Sequence, residues 1–212
     1  LYLVGKAEAF LPHFIYAFEE MGNRGFGRDY AKAMLARVTA RTNGTDATVY
    51  SGDTHQLEGQ PVRVDSAIIE KRAATLEGKP LRLIFETPTR VKSEGRLASS
   101  PDFAQLAPGL LRRLNMLHYF FCDGEFHHDI RPLLEEARSV ASLASDMRWV
   151  DWTRYSARQD TTMQLGGFVG SLTIAPPPRN VLMYVLWGEV LHLGKGGSFG
   201  LGKYRVETAE TP

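Results

Sequence analysis

The chain has a single cysteine, Cys122, among 212 residues. One thiol cannot build an internal disulfide framework, and this scarcity fits a reducing cytoplasm. Long apolar runs are missing too. The best, Val181 to Leu193, is too short to span a bilayer and carries Glu189, so no membrane partner is expected. No signal peptide is evident. Leu1 stands where a Met would open a gene product, so a true start upstream is expected. Excess charge is also lacking: 25 Lys and Arg against 24 Asp and Glu leave +1. A nucleic-acid partner could not be drawn by such a field and would need local basic clusters. Metal-type ligands crowd only Cys122, Asp123, Glu125, His127, His128 and Asp129. Neighbouring histidines in a loop seldom both converge on one ion, so this reads as a solvated connection, and no metal or other cofactor is expected.

What is present is an ordinary globular composition, 43% hydrophobic and 23% charged, long enough for one or two domains. Its most unusual stretch lies near the C-terminus. An apolar helix runs into Gly194, Gly196, Gly197, Gly200 and Gly202, five glycines in nine residues. Glycines at that density let backbone approach closely and adopt positive φ. Bare N–H groups flanked by Lys195, Lys203 and Arg205 suit an anionic backbone. Gly197 to Lys203 also spells most of a phosphate-binding P-loop. That motif needs a strand before it, a helix after it, and Ser or Thr after the Lys. Here the order is reversed and Tyr204 follows, so a nucleotide triphosphatase is excluded.

In chain order, Phe10, Leu11, Phe14, Ile15, Phe18 and Met21 form the stripe of an amphipathic helix. Gly22 to Arg28 is a glycine-rich basic loop. Ala33 to Arg41 and Ala47 to Tyr50 read as strands joined by an Asn43-Gly44 hairpin turn. A further strand is expected over Val62 to Ile69. Leu81 to Glu86 is an apolar strand. Asp102 to Phe121 and Ile130 to Ser145 are helical. Met147 to Gln159 and Thr162 to Ala175 are strands joined at Asp160-Thr161. A last helix starts over Pro176 to Asn180, and Tyr204 to Val206 closes the chain.

Helix, glycine-rich loop with Phe-Gly, basic residue and strand occur at residues 10–41 and again at 180–206, which reads as a duplicated module. The second copy has the order βα(α)ββαβ, a ferredoxin-like plan with helices on one sheet face. The fold class expected is α+β: tandem ferredoxin-like (βαββαβ) domains, the first incomplete. Residues 1–50 are the C-terminal part of the first domain. Residues 51–80 are a linker with a strand, and 81–212 are the complete second domain.

The segments RLIFETPTR, LLRRLNMLHYFF, RWVDWTRYSARQ, LGGFVGSLTI and LHLGKGGSFGLGKYRV resemble the C-terminal region of CRISPR-associated endoribonucleases, the repeat-processing members of the RAMP superfamily. The resemblance runs over roughly residues 5–207. It implies binding of CRISPR repeat RNA and metal-independent cleavage by the 2′-hydroxyl, leaving a 5′-hydroxyl and a 2′,3′-cyclic phosphate. Other CRISPR-associated proteins and a second copy of the chain are further expected partners. In that family the general-base histidine usually lies in the first helix of the first domain. No histidine of this chain matches it, so the base is expected upstream of Leu1, and the chain as it stands is expected to bind RNA but cleave poorly. A catalytically inert RNA-binding subunit of a CRISPR effector complex is the alternative. A ferredoxin-like interaction domain without RNA is a third reading.

Arg148, Trp152, Arg154, Ser156 and Arg158 share one strand face by period two. Arginines with an aromatic suit RNA phosphates and base stacking; the plain alternative is a solvated face ion-paired to Asp146 and Asp160. The loop residues Gly194, Lys195, Gly196, Gly197, Gly200, Gly202, Lys203 and Arg205 complete the RNA-binding set. His192, where the last helix meets the loop, is the catalytic candidate, since an imidazole titrates near neutrality. It suits equally a capping role at the helix end. His13 and His118 read as structural, and Arg112-Arg113 as the polar face of a helix.

Overall fold

The computed structural model describes residues 1–27, 29–42, 45–93, 95–125, 129–156 and 160–209, without the side chains of 41, 42, 45 and 156. The Asn43-Gly44 turn, Arg28, His127, His128 and Arg158 lie outside the described residues. The chain forms two compact units, 3–65 and 66–212, with Tyr2 grouped in the second.

The first unit begins with a 3-10 turn over Gly5–Phe10 and helix α1, Leu11–Arg24. Pro12 sits in the first turn of α1, where its missing N–H is no loss. Ile15 and Gly22 are buried, whereas Phe10, Phe18 and Met21 of the expected stripe are exposed. Strands β1 (Arg37–Thr42), β2 (Thr45–Ser51) and β3 (Gln56–Leu57) form an antiparallel sheet in that order. Gly52 ends β2 by donating its N–H to Ala36 O. A Cβ there would stand 2.0 Å from Leu35 O, so only glycine fits.

The second unit opens with helix α2, Ser66–Leu76. The strand expected over Val62–Ile69 is therefore corrected to coil running into helix. The β-branched Val62, Val64, Ile68 and Ile69 mimic a strand, but Ile69 and Ala73 are buried four apart, on one helical face. There follow β4 (Leu81–Thr89), a short hairpin of β5 (Lys92–Ser93) and β6 (Arg96–Leu97), α3 (Phe103–Phe121) and α4 (Arg131–Ser139). Asp102 and Gln105 close a capping box at the start of α3. The helix expected to reach Ser145 ends at Ser139, and β7 takes Ser142–Val150. The strand expected over Met147–Gln159 is also divided. Strand β8 is Thr153–Ser156 and pairs with β9, Thr161–Gln164, as a separate hairpin. Trp149 donates Nε1–H to Asp151 Oδ1 at the break. Strand β10 (Gly167–Ile174), helix α5 (Arg179–Leu191) and β11 (Tyr204–Thr208) complete the unit.

The main sheet runs β11-β4-β10-β7, every neighbouring pair antiparallel. Strands β4 and β7 are parallel with β10 between them, the split βαβ arrangement of a ferredoxin-like domain. Leu81, Leu83, Phe85, Phe168, Leu172, Ile174 and Tyr204 fill its helix-covered face and are at most 2% exposed. Each such side chain contributes about 1.5–3 kcal/mol on burial. Tyr204 also donates its hydroxyl to Val185 O of α5 at 2.6 Å. The tandem ferredoxin-like α+β fold stands, the first unit carrying one α-helix and three strands.

Candidate nucleic-acid interface

The glycine-rich passage Gly194–Gly202 is folded against the end of β4. Leu193 N–H donates to Gly202 O at 2.8 Å, Lys195 N–H to Arg90 O at 3.0 Å, and Gly202 N–H to Pro88 O at 3.1 Å. Thr87 Oγ1 donates to Gly200 O at 2.9 Å and accepts from Lys203 N–H at 2.8 Å. Gly194, Gly196, Gly200 and Gly202 all hold positive φ. The N–H groups of Lys195, Phe199, Gly200, Leu201 and Gly202 are each given to a backbone carbonyl. The loop thus presents side chains, not these amides, to a partner.

The β8–β9 hairpin meets this loop. The Arg154 guanidinium lies over the Phe199 ring, 5.2 Å from its centre, an exposed cation–π contact of about 0.5–1 kcal/mol. Arg90 ties the two together from beneath: Nη1–H donates to Gln164 O at 2.5 Å, and its carbonyl accepts from Lys195. Trp152 and Tyr155 are exposed on the same arm, Tyr155 donating its hydroxyl to Asp160. That bond pushes the Tyr155 phenol up, helped by desolvation.

The sheet face turned away from α3 and α5 carries the exposed Arg82, Glu86, Asp146, Arg148 and Arg205 in alternate positions of β4, β7 and β11. Lys203 Nζ is 2.7 Å from Glu86, Arg205 Nε is 3.4 Å from Glu86, and Arg205 also pairs with Glu207. Exposed pairs of this kind are worth about 0–1 kcal/mol, so a phosphate can compete for these cations. Arg148 and Arg154 have no ion-pair partner among the described residues. Arg148 lies in β7, Trp152 in the break and Arg154 in β8, so one period does not run through all three. Ser156 ends β8, and its side chain is undescribed.

His192 is 8% exposed, and its Nδ1 is 3.2 Å from Leu201 O. Its Nε2 is buried without a partner among the described residues. Burial pushes this imidazole below its ordinary pKa. The Leu201 carbonyl pulls it the other way, and the charges of Arg113 and Lys203 push it further down. Tyr2 sets its ring edge-on to it at 5.4 Å. The site so placed is a packed support for the loop. Arg113, expected on a polar helix face, is instead half-buried and donates Nε–H to Leu191 O at 2.7 Å, with its guanidinium under Gly197. Burial pulls its pKa down. Among the described residues no three His, Cys, Asp or Glu side chains converge on a point, and no helix is long and apolar enough to cross a membrane.

Residues 83–204, more than half the chain, match the family model of the CRISPR-associated endoribonuclease Cas6. The chain belongs to the Cas6 family. A second model, described only as an N-terminal domain, matches residues 1–62. Among solved structures, a Cas6 product complex, of the Thermus thermophilus protein TTHB231, is similar at 16% identity and a TM-score of 0.57. The match covers 94% of this chain and 72% of that one. A partial Cas6-RT-Cas1–Cas2 complex and a fuller form of it are similar at 16% identity and a TM-score of 0.50, over 72% of this chain. The chain spans only 29% and 18% of those two proteins. At such identity the likeness speaks for the Cas6 fold alone. No curated protein sequence matches the chain significantly.

Sequence reasoning misses Phe199, Arg90 and Arg113 as parts of this surface. Phe199 stands inside the glycine run, where the neighbouring lysines carry the obvious charge. A group in the first unit is missed as well. Glu19, Tyr50 and His55 meet there, with Tyr50 hydroxyl to His55 Nδ1 at 3.1 Å and His55 Nδ1 to Glu19 Oε1 at 3.1 Å. The one signal is the turn Gly52-Asp53-Thr54-His55 after an expected strand.

Proposed function

We propose that the chain binds CRISPR repeat RNA and carries out its endonucleolytic processing without a metal ion, through attack of a 2′-hydroxyl on the adjacent phosphodiester. Membership of the Cas6 family supports the class of reaction. The observation that carries the reading on this chain is the joining of the β8–β9 arm to the glycine-rich loop by Arg154 over Phe199. A guanidinium already poised on an aromatic offers charge to a phosphate and a flat face to an unstacked base. Trp152, Tyr155 and Lys195 extend the same surface, and Arg148, Lys203 and Arg205 extend the charge across the open sheet face. Gly194, Gly196, Gly197, Gly200 and Gly202 hold the loop low enough for a backbone to pass over it. The buried His192 keeps that loop in place.

The alternative is an inert RNA-binding subunit of a CRISPR effector complex. It is favoured by the burial of His192, the histidine that adjoins the glycine-rich loop. Partners among CRISPR-associated proteins and self-association as a dimer belong to the same reading; one similar solved structure is a Cas6-RT-Cas1–Cas2 complex. Binding of repeat RNA measured against salt, and cleavage in EDTA with a 2′-deoxy control, test the proposal. Affinity should fall linearly with log salt, and the 2′-deoxy RNA should stay intact. RNA bound but never cut would select the inert subunit. No binding would leave only an interaction domain.

A further inference from the structure

The main sheet ends in two different ways. Its edge strand β11 has five residues, and its charge is settled within the chain, since Arg205 pairs with Glu86 and Glu207. The other edge, β7, has nine residues and pairs only with β10 among the described residues. Sheet edges are commonly blunted by proline, lysine or a bulge, because their free N–H and C=O groups invite another strand. Strand β7 carries neither proline nor lysine. Its register shift against β10 falls at its start, between Thr173 and Ile174, so the run Ala144–Val150 is regular. Ser142 to Asp146 and Arg148 are exposed, and Leu143 is 56% exposed.

The charges of this edge have no counter-charge on the inner side. Across β10, Asp146 faces Ser171 and Arg148 faces Val169. The Ser171 hydroxyl is already taken by Arg82, whose Nη2–H donates to it at 3.1 Å. Neither Asp146 nor Arg148 has an ion-pair partner among the described residues. Their order is self-complementary. Met147 is the middle of the run Ala144–Val150, with Asp146 just before it and Arg148 just after it. Laid antiparallel against itself about Met147, the run sets Asp146 opposite Arg148 and Arg148 opposite Asp146. Moving the centre to Asp146 or to Arg148 sets two like charges face to face. Opposite charges directly across a pair of strands favour the pairing, and like charges oppose it. The remaining pairs agree with the same register. Ala144 meets Val150 on the open face. On the helix-covered face Ser145 meets Trp149 and Met147 meets its own copy, and Met147 and Trp149 are only half-buried in the single chain.

We propose that β7 is the edge through which two copies of this chain associate, antiparallel over Ala144–Val150 about Met147, held in register by two Asp146–Arg148 pairs. Of the reading above it takes up only the self-association, to which it gives a surface and a register; no RNA enters the contact. The two four-stranded sheets join into one of eight strands. The twofold axis stands perpendicular to this sheet, so the open faces of both copies turn the same way and form one continuous surface. Arg148 is then shared between a carboxylate and any phosphate on that face, as Lys203 and Arg205 are within one chain.

The test is analytical ultracentrifugation of the chain without RNA over a series of concentrations, with repeat-RNA binding measured separately. The unaltered chain should dimerise. Asp146→Arg and Arg148→Asp should each weaken the dimer about tenfold or more, because both charged pairs become like pairs. Two rescues follow from the register. The double variant that exchanges the two residues should dimerise again. An equimolar mixture of the two single variants should form mixed dimers, since the introduced arginine then faces the introduced aspartate and the native Arg148 faces the native Asp146. Either rescue also shows that the single variants are folded. A monomeric unaltered chain, single variants that dimerise as before, or failure of both rescues overturns the proposal. Repeat RNA bound by a monomer overturns it and spares the RNA reading. The predicted rescues without any RNA binding bear it out and overturn the RNA reading.

Discussion

Two passages of this chain follow one plan, helix, glycine-rich turn, strand, and close in opposite directions. After α1 the chain turns through Gly22–Gly27, and β1 pairs forward with β2. After α5 it turns through Gly194–Gly202, and β11 pairs back with β4. The glycines of the first turn make room for their own neighbours. A Cβ at Gly22 would stand 2.2 Å from Ala33 O and one at Gly25 2.3 Å from Tyr30 O, while Phe26 and Ala31 bond to each other. The second turn is tied to remote backbone: Gly194 crosses Arg90, and Gly202 bonds Pro88. Glycine density therefore reports crowded backbone and not what does the crowding.

The sharpest way to break this contrast is to add one methyl group. Gly202→Ala places a Cβ 1.8 Å from Leu193 O at φ +76. It should destabilise the second unit by about 3 kcal/mol or more, with hydrogen-exchange protection falling away in β4 and β11. Gly25→Ala should loosen α1 and β1 and leave β4 protected. Unprotected β4 amides in Gly25→Ala would end the distinction. Gly200→Ala and Gly27→Ala, with nothing within 4 Å, should each cost only about 1 kcal/mol of backbone strain.

Next in size is charge. Arg154→Glu should weaken repeat-RNA binding and lower the salt slope by roughly 0.7, the share of one neutralised phosphate on a single strand. Arg24→Glu, beside the first turn, should alter neither; an equal effect there would make the two turns functionally alike. Thr87→Val removes both hydrogen bonds that hold Gly200 and Lys203 to β4, at a cost of about 1–2 kcal/mol. Protection should fall first in the second turn.

The smallest effect is a pH slope. His192 has a depressed imidazole pKa in the fold. As pH drops through the ordinary value of 6.5, the unfolded chain takes a proton that the folded one refuses. Stability is therefore full above that value, falls below it, and levels once the folded imidazole also protonates. Denaturant unfolding across this range should show the slope in the parent and not in His192→Gln.

The second unit is largely legible in the sequence because β4 alternates buried and more exposed positions over its first six residues and the long helix buries a regular stripe: Phe103, Leu106, Leu110 and Leu114 are all buried as spaced. The family resemblance rests on the same segments. What stays hidden is of two kinds. Helix α2 is masked by β-branched residues whose helical spacing is only two buried positions deep. Side-chain convergence is not written in any local period. Arg154 and Phe199, or Glu19 and His55, are brought together by tertiary folding, and no spacing rule predicts such pairs.

The division of β7–β10 from β8–β9 has one further consequence. Among the described residues, strands β8 and β9 pair only with each other, and Leu165 N–H closes on Trp152 O at 2.6 Å at their base. The arm can therefore lengthen or shorten without moving a residue of the main sheet. Side chains alternate with a period of two, so a change of two residues on each strand keeps every side chain of the arm on its own face, whereas a change of one inverts them all. Reach along a nucleic acid should thus vary among such arms in paired steps, each adding about 7 Å.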